Sequence, residues 1–313
     1  MIRLFEDLPN ELLQDIFQYF DARMLYQIFS SLNQRFNHLL SAHRKPYLIL
    51  SPLNPSTNAD HLFASHIHTL IISSNVHFTL RNYPNVRCVI VHQPTNDQLS
   101  SIMKDGCQLE SLVLLSPRCF YSTYLIHEMI FSNQFPRLKF ADLTNVYSPS
   151  LQLRSCSWSQ TYSLRSLRIS SDDSSIHRAI FNACPNLNYL HLILSRLDPT
   201  SDDVQPHRTL KTFKFIFHDL INQFNGPIIE SLFLCLPSLE RLSLQTSISL
   251  VHFNHLLQFI QEKFVFLQRF HLLLFNSNEP NESLVRMKKI FQKKFPTNTI
   301  LFQSDLASIT NEN

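Results

Sequence analysis

The stretch CPNLNYLHL, residues 184–192, contains an L-x-x-L-x-L frame directly after a proline turn. Alternate residues of a strand point to the same side, so Leu190 and Leu192 of this frame would face one core. Eight further segments carry the same frame or a close variant, and successive frames begin 19 to 29 residues apart. They are IHTLII (67–72), VRCVIV (86–91), LESLVL (109–114), LKFADL (138–143), LRSLRI (164–169), LKTFKF (210–215), LERLSL (239–244) and LQRFHL (267–272). This recurrence predicts an array of similar units, each of which supplies one strand.

The segments between the frames complete the predicted repeat. Several have the apolar spacing of helices, whereas 145–160 and 195–207 contain Ser, Pro and Asp and are typical of loops. The predicted helices are 97–105, 119–134, 174–184, 252–264 and 281–294, and TILF at 299–302 is a candidate last strand. The leucines predicted to point into the shared core are Leu112, Leu114, Leu167, Leu190, Leu192, Leu242 and Leu244. Units that stack in this way form a solenoid with a parallel sheet.

The glycine content argues against several other classes of protein. The chain of 313 residues has only two glycines, Gly106 and Gly226. Loops that hold phosphate groups need several glycines, so neither a P-loop nor a G-x-G-x-x-G motif is present. The G-x-S-x-G motif of hydrolases is absent as well. A doubly wound parallel sheet is the competing fold, but nine strands would be many for it and it would lack its nucleotide loop.

Before the repeats, LPNELLQDIFQYF at residues 8–20 has apolar residues at helical spacing. Pro9 suits a first helical turn, and Asp21 and Asn33 are candidate caps for a second and a third helix. Pro46 would prevent the third helix from continuing. Three helices this short bury little surface on their own, so their wide apolar faces suggest a partner protein. The alternative is that they only cap the repeats.

Residues 8–40, LPNELLQDIFQYFDARMLYQIFSSLNQRFNHLL, resemble an F-box. The resemblance rests on Leu8-Pro9, Glu11, Leu12-Leu13, Ile16-Phe17, Leu25 and Arg35-Phe36. The family usually has tryptophan at the position of Phe36 and often has cysteine-lysine where this chain has Asn33-Gln34. F-box domains bind the Skp-type adaptor of cullin–RING ubiquitin ligases. The adaptor-binding residues that the resemblance implies are Leu8, Pro9, Leu12, Leu13, Ile16, Phe17 and Leu25.

The repeats are similar to leucine-rich repeats of an irregular kind, although the consensus asparagine after the frame is mostly missing. We therefore expect an α/β chain, with an N-terminal three-helix F-box followed by a leucine-rich-repeat-like α/β solenoid with a parallel sheet. The expected bounds are 1–46 for the F-box, 47–63 for a linker, 64–304 for the solenoid and 305–313 for a flexible tail. The pairing implies a substrate receptor of an SCF-type ubiquitin ligase that performs no catalysis and needs no cofactor. A non-ligase interaction scaffold built from the same two parts is the alternative.

Other sequence features limit the function further. No nucleophile–base motif is present, and the fifteen histidines show no metal-ligand spacing, so we expect neither an enzyme nor a metal site. The six cysteines lie far apart without a C-x-x-C, which predicts reduced thiols in the cytoplasm or nucleus. Acids at Glu6 and Asp7 argue against a signal peptide, and no apolar run is long enough for a membrane span. A net charge of +3 and one basic segment, 286–295, do not indicate a nucleic-acid partner.

A candidate target-binding surface comes from the strand residues that alternate with the frame, because these face away from the core. Its candidate residues are Phe140, Arg168, Tyr189, His191, Lys214, Arg241 and Arg269. Earlier frames have Ile71, Ile90 and Val113 at such positions, so the face is predicted to change from apolar to basic along the array. Arginine and tyrosine often dominate binding energy, and arginine holds carboxylate or phosphate through two hydrogen bonds. We hypothesise that this face captures an acidic or phosphorylated segment of the target; a solvated sheet face without a partner is the alternative.

Overall fold

The structure is a computed structural model. It describes residues 5–30, 32–43, 46–115, 120–144, 158–171, 176–194, 206–217, 230, 232–246, 250–274 and 281–302. The chain divides into two compact units, Met1–Ser122 and Thr123–Asn313. The predicted tail, 305–313, and most of the predicted loops 145–160 and 195–207 lie outside the described residues.

The first unit begins with three short helices, α1 (Asn10–Phe17), α2 (Ala22–Phe29) and α3 (Gln34–Ala42). Both predicted caps are confirmed. The Asp21 carboxylate accepts a hydrogen bond from the Met24 amide (2.8 Å), and the Asn33 side-chain oxygen accepts one from the Phe36 amide (3.1 Å). Each cap satisfies one of the amides that a helix start leaves without an internal partner.

The three helices share one buried cluster of apolar side chains. Its members are Leu13, Phe17, Leu25, Phe29, Phe36, Leu39 and Leu40. The Phe29 ring lies at its centre, with centroids 4.9 Å from Phe17 and 5.4 Å from Phe36. Residues four apart lie on one face of a helix, which is why Leu13 pairs with Phe17 and Leu25 with Phe29 in this interior. The helices therefore fill their own core.

Replacing Asn33 by alanine should lower the free energy of unfolding by about 1 kcal/mol, because the Phe36 amide loses its acceptor. Asn33→Ser should keep most of the stability, since serine caps helices about as well as asparagine. Urea denaturation of the full chain, followed by far-UV circular dichroism, measures the difference. Equal stabilities of the two variants would contradict the capping role.

Four parallel strands follow in the first unit, β1 (Tyr47–Leu50), β2 (Thr69–Ile72), β3 (Cys88–His92) and β4 (Ser111–Leu115), with α4 (Asn96–Asp105) between β3 and β4. Each strand pairs with the next one along the chain. The strand β1 differs from the prediction of a linker over 47–63. The segment has no L-x-x-L-x-L frame, but pairing with β2 satisfies its backbone and buries Leu48 and Leu50 completely.

Residues 54–63 are also part of the packed first unit. The Arg23 guanidinium on α2 donates two hydrogen bonds to the Asp60 carboxylate (3.0 and 2.8 Å) and one to the Pro55 carbonyl (3.0 Å). The Tyr26 ring stacks on Phe63 at a centroid distance of 4.9 Å. This segment thus fastens α2 next to the first strands, and it does not behave as the predicted linker.

The described strands of the second unit are β5 (Phe140–Leu143), β6 (Ser166–Ser171), β7 (Tyr189–Leu194), β8 (Thr212–Phe217), β9 (Arg241–Thr246), β10 (Arg269–Leu274) and β11 (Thr299–Phe302). They pair in chain order and all pairs are parallel. The described helices that precede or separate them are α5 (Phe120–Phe131), α6 (Ile176–Ala183), α7 (Leu250–Lys263) and α8 (Asn281–Lys294). All five predicted spacer helices and all nine predicted frame strands are confirmed.

The frame residues form the core, as predicted. Leu112, Leu114, Leu167, Leu190, Leu192, Leu242 and Leu244 are at most 1% exposed. The register places them in rows that run across neighbouring strands, for example Leu167, Leu190, Phe213 and Leu242. Within each unit the strand order follows the chain, whereas a doubly wound sheet reverses its order at a switch point. The chain is therefore an α/β protein whose parallel sheet is built one strand per repeat.

Candidate interaction surfaces

Large apolar side chains remain exposed on and beside the first helices. Leu12, Met24, Ile28 and Leu32 are 44–51% exposed, and we refer to them as the exposed helical residues. Leu12 was among the predicted adaptor-binding residues, whereas the other three were not. The sequence feature that indicates these exposed residues is the wide range of apolar positions around α2. Positions 24, 25, 28 and 29 span more than one helix face, so only part of them can reach a core.

The structure divides the predicted adaptor-binding residues into an inner and an outer group. Leu13, Phe17 and Leu25 lie in the helical core and are at most 1% exposed. Leu8 and Ile16 are half-buried. Pro9 and Leu12 are exposed. A partner that contacts this unit without unfolding it thus meets the outer group, while the inner group holds the helices together.

Arg35 on α3 explains how the Leu-Pro pair is held. Its guanidinium donates hydrogen bonds to the carbonyl oxygens of Glu6 and Leu8, and its Nε donates to the Asn10 side chain (2.8 Å). The next residue, Phe36, points inward and packs on Phe29. The Arg-aromatic pair therefore joins the entry to α1 with the core of the helices.

In the first unit, the side of the sheet that faces away from the core carries aliphatic side chains. The register aligns Ile49, Ile71, Ile90 and Val113 across β1–β4. Beside this row lies an open cavity of about 460 Å³, lined by Ile49, Ile71, Ser73, Ser74, His92, Gln93 and Leu115. The predicted apolar character of this part of the face is confirmed for Ile71, Ile90 and Val113, and Ile49 extends it.

The corresponding face of the second unit carries two polar rows, which the register defines. One row runs through Phe140, Ser166, Tyr189, Thr212, Arg241 and Arg269. The other runs through Asp142, Arg168, His191, Lys214, Ser243 and His271. All seven candidate target-binding residues thus lie on one face of the sheet, within two neighbouring rows.

Arg168 differs from the other basic residues because its charge is already engaged. Its Nη1 donates to the Asp142 carboxylate at 3.2 Å, and its guanidinium carbon lies 5.7 Å from the Phe140 ring and 5.8 Å from the Tyr189 ring. Asp142 also accepts hydrogen bonds from the Thr144 amide and hydroxyl. The cluster therefore pairs the Arg168 charge with one acid and two aromatic faces, while its buried Nε has no hydrogen-bond partner among the described residues.

His191 lies beside Arg168 in the same row, with Lys214 on its other side. Burial, together with the positive charges of Lys214 and Arg168, lowers the pKa of His191 to about 4. The imidazole is accordingly neutral at physiological pH and adds no charge to the face.

The charged residues that remain are Lys214, Arg241 and Arg269, which we call the basic triad. They lie on the adjacent strands β8, β9 and β10, with Arg241 and Arg269 in direct register. Arg241 and Arg269 are exposed and Lys214 is half-buried. Among the residues that the structure describes, no carboxylate forms an ion pair with any of the three.

Buried histidine and cysteine in the second unit have structural roles. The His207 Nε2–H donates to the Cys184 carbonyl (2.8 Å), and the His207 amide donates to the Cys235 carbonyl (2.7 Å). This histidine thus connects the turns that precede β7 and β9, the two strands that pair with β8. Burial raises the pKa of the Cys184 thiol, which suits a packed side chain more than a nucleophile. Within the described part of the chain, no three His, Cys, Asp or Glu side chains are grouped so as to hold a metal ion.

Comparison with known proteins leaves the family open. A scan against protein-family models matched none of them, and a search of curated proteins found no significant match. Among the helices that the structure describes, none has the length and apolar character needed to cross a membrane.

Proposed function

We propose that this chain is the substrate-recognition subunit of an SCF-type ubiquitin ligase. Its N-terminal helices would serve as an F-box that binds a Skp-type adaptor, and its leucine-rich-repeat-like solenoid would bind the target protein. The chain performs no chemistry in this role. It holds the target close to a ubiquitin-conjugating enzyme that the cullin recruits.

One observation carries the proposal. Four large apolar side chains, the exposed helical residues, stay in solvent on and beside three helices whose shared core is already filled by seven others. Small soluble units seldom leave so much apolar surface uncovered unless a partner covers it. The resemblance of residues 8–40 to an F-box supports an adaptor as that partner. The array of one-strand repeats that follows supports a second, independent binding surface.

Changing the exposed helical residues should abolish adaptor binding. We expect the double variant Leu12→Asp/Ile28→Asp to bind a purified Skp-type adaptor at least about 100-fold more weakly, because each apolar side chain buried at an interface contributes about 1.5–3 kcal/mol. Isothermal titration calorimetry or a quantitative pull-down measures the change. Because both residues are about half exposed, the variant should unfold at nearly the wild-type urea concentration.

A matched control is Leu53→Asp/Leu62→Asp, which adds the same charge at leucines that are 99% and 82% exposed and lie outside α1–α3. This control should bind the adaptor like wild type. Equal loss in both double variants, or unchanged binding in the first, would rule out the helical surface as the adaptor site. Co-purification of a cullin with wild type separates the ligase from a scaffold that uses its F-box alone.

A further inference from the structure

The basic triad is an unusual arrangement for an isolated sheet face. Arg241 and Arg269 occupy directly paired positions on β9 and β10, roughly 4.8 Å apart along the hydrogen-bonding direction. Like charges placed opposite each other on neighbouring strands repel and destabilise the pair. In the described residues of this face the nearest acid in register, Asp142, is engaged with Arg168 and lies four strands from Arg241. An external anion would relieve the repulsion.

We propose that the basic triad binds an extended, carboxylate-rich segment of the target protein. The proposal rests on the proposed function and specifies the chemistry of what the repeats recognise. It also moves the centre of the candidate site. Arg168 is one of the candidate target-binding residues, but it is held by Asp142 and two aromatic rings and so supports the sheet face. Lys214, Arg241 and Arg269 contact the target segment.

The spacing of the triad favours single carboxylates over one phosphate group. Each of three adjacent strands contributes one cation. Lys214 lies two residues further along its strand than the position paired with Arg241, which separates the two Cα atoms by roughly 8 Å. Alternate side chains of an extended peptide are roughly 6.6 Å apart on one side. This spacing lies between the roughly 4.8 Å and 8 Å separations of the triad, so the long Lys and Arg side chains can reach alternate Glu or Asp residues one charge at a time, with arginine able to hold each carboxylate through two hydrogen bonds.

The experiment uses the full chain and a labelled peptide of about ten residues in which Glu and Ser alternate. Fluorescence anisotropy compares wild type with Arg241→Glu/Arg269→Glu. The matched control is Lys288→Glu/Lys289→Glu, which changes the net charge equally at exposed positions of α8 and away from the face. We expect at least a tenfold loss of affinity in the first variant, less than a twofold loss in the control, and less than a twofold loss in Arg168→Gln.

Three further probes test whether carboxylates are the group that the basic triad recognises. A Gln–Ser peptide should not bind, whereas tighter binding of a singly phosphorylated Gln–Ser peptide or of a short single-stranded RNA than of the Glu–Ser peptide would overturn the proposal. Equal loss in the two double variants would overturn it too, because attraction would then depend on net charge alone. If Arg241→Glu/Arg269→Glu unfolds by circular dichroism, Arg241→Gln/Arg269→Gln replaces it with the same expected direction.

Adaptor binding is measured on the same proteins. It should be unchanged in both double variants, since the changes lie in the second unit. Loss of peptide binding with intact adaptor binding supports the inference. A wild-type chain that binds the adaptor but not the Glu–Ser peptide would refute the inference and leave the proposed function standing. A chain that binds the Glu–Ser peptide but no adaptor would refute the proposed function and leave the peptide-binding inference standing.

Discussion

Replacing Asp60 by alanine should cost about 3–5 kcal/mol of folding free energy, because it leaves the buried guanidinium of Arg23 without its counter-charge. The side chains of Arg23 and Asp60 are only 9% and 3% exposed. Two hydrogen bonds join them, and Asp60 also accepts from the amide and hydroxyl of Thr57. Removing one member of such a pair is far more costly than removing both, since the remaining charge stays desolvated.

The control for this prediction is an ion pair with an exposed arginine in the same unit. The Arg81 Nε lies 2.8 Å from the Asp105 carboxylate; the Arg81 side chain is 70% exposed and the Asp105 side chain 9% exposed. Because water reaches the Arg81 end of this pair, Arg81→Gln should lower the free energy of unfolding by less than Asp60→Ala does. The double variant Arg23→Met/Asp60→Ala should recover part of the loss of Asp60→Ala. Urea denaturation of all variants provides the comparison, and a small effect of Asp60→Ala alone would show that this pair does not hold the unit together.

The pair also predicts a pH dependence. Burial alone would raise the pKa of the Asp60 carboxyl, but the hydrogen bonds from Arg23 and Thr57 outweigh burial and lower it. A lowered pKa means that the contribution to stability is present above the unfolded value of about 3.9 and is lost as the pH falls through the folded value. The difference in stability between wild type and Asp60→Asn should therefore be largest near neutral pH and should narrow below about pH 4.

The pair matters for the proposed function because it connects the helices to the repeats. Arg23 lies on α2, and its partners lie at residues 54–60, between β1 and β2. Tyr26 of the same helix packs on Phe63. Within the first unit, an adaptor bound to the helices would thus be held at a defined position relative to β1 and β2. A flexible linker over 47–63 would not provide this.

Replacing Phe213 by alanine should cost about 3–5 kcal/mol, the usual range for a fully buried phenylalanine. Phe213 on β8 is completely buried. Its ring lies 5.5 Å from Phe215 and 6.3 Å from Phe233, and its row neighbours are Leu190 and Leu242. The variant would leave a cavity that these rigid neighbours can only partly fill.

The matched control is Lys214→Gln, the next residue on the same strand. It faces the other side of the sheet, so it should change stability by less than about 0.5 kcal/mol. Thermal or urea unfolding of the two variants tests whether the alternation of core and surface on β8 is as described. Similar losses of stability from Phe213→Ala and Lys214→Gln would contradict the assignment of Phe213 to the core side and Lys214 to the opposite side of the sheet.

Most of the repeat architecture could be predicted from local patterns. The last three residues of each frame, such as LHL in LNYLHL at 187–192, follow the two-residue period of a strand, and each frame became a strand whose fourth and sixth frame positions are buried. The caps at Asp21 and Asn33 are equally local, since each side chain meets an amide three residues away. The strand β1 escaped prediction because YLIL at 47–50 has no frame, and only pairing with β2 makes it a strand.

The candidate sites could be predicted only in part. The alternation along a strand was enough to assign Arg168, Lys214, Arg241 and Arg269 to one face, because it depends on the two-residue period alone. It could not show that Arg168 is paired. That pairing depends on Asp142, 26 residues away in the chain, and on aromatic rings from both neighbouring strands.

The sequence by itself determined the order of the helices and frame strands, the helix caps and the core side of each frame strand, because neighbouring residues decide these features. Only the tertiary structure decided which apolar residues of α1 and α2 face the helical core and which stay exposed, that Arg23 pairs with Asp60 across 37 residues, and that Arg168 pairs with Asp142. The physical reason is that burial and charge pairing depend on residues from distant parts of the chain. Folding must bring these residues together before either can be assigned.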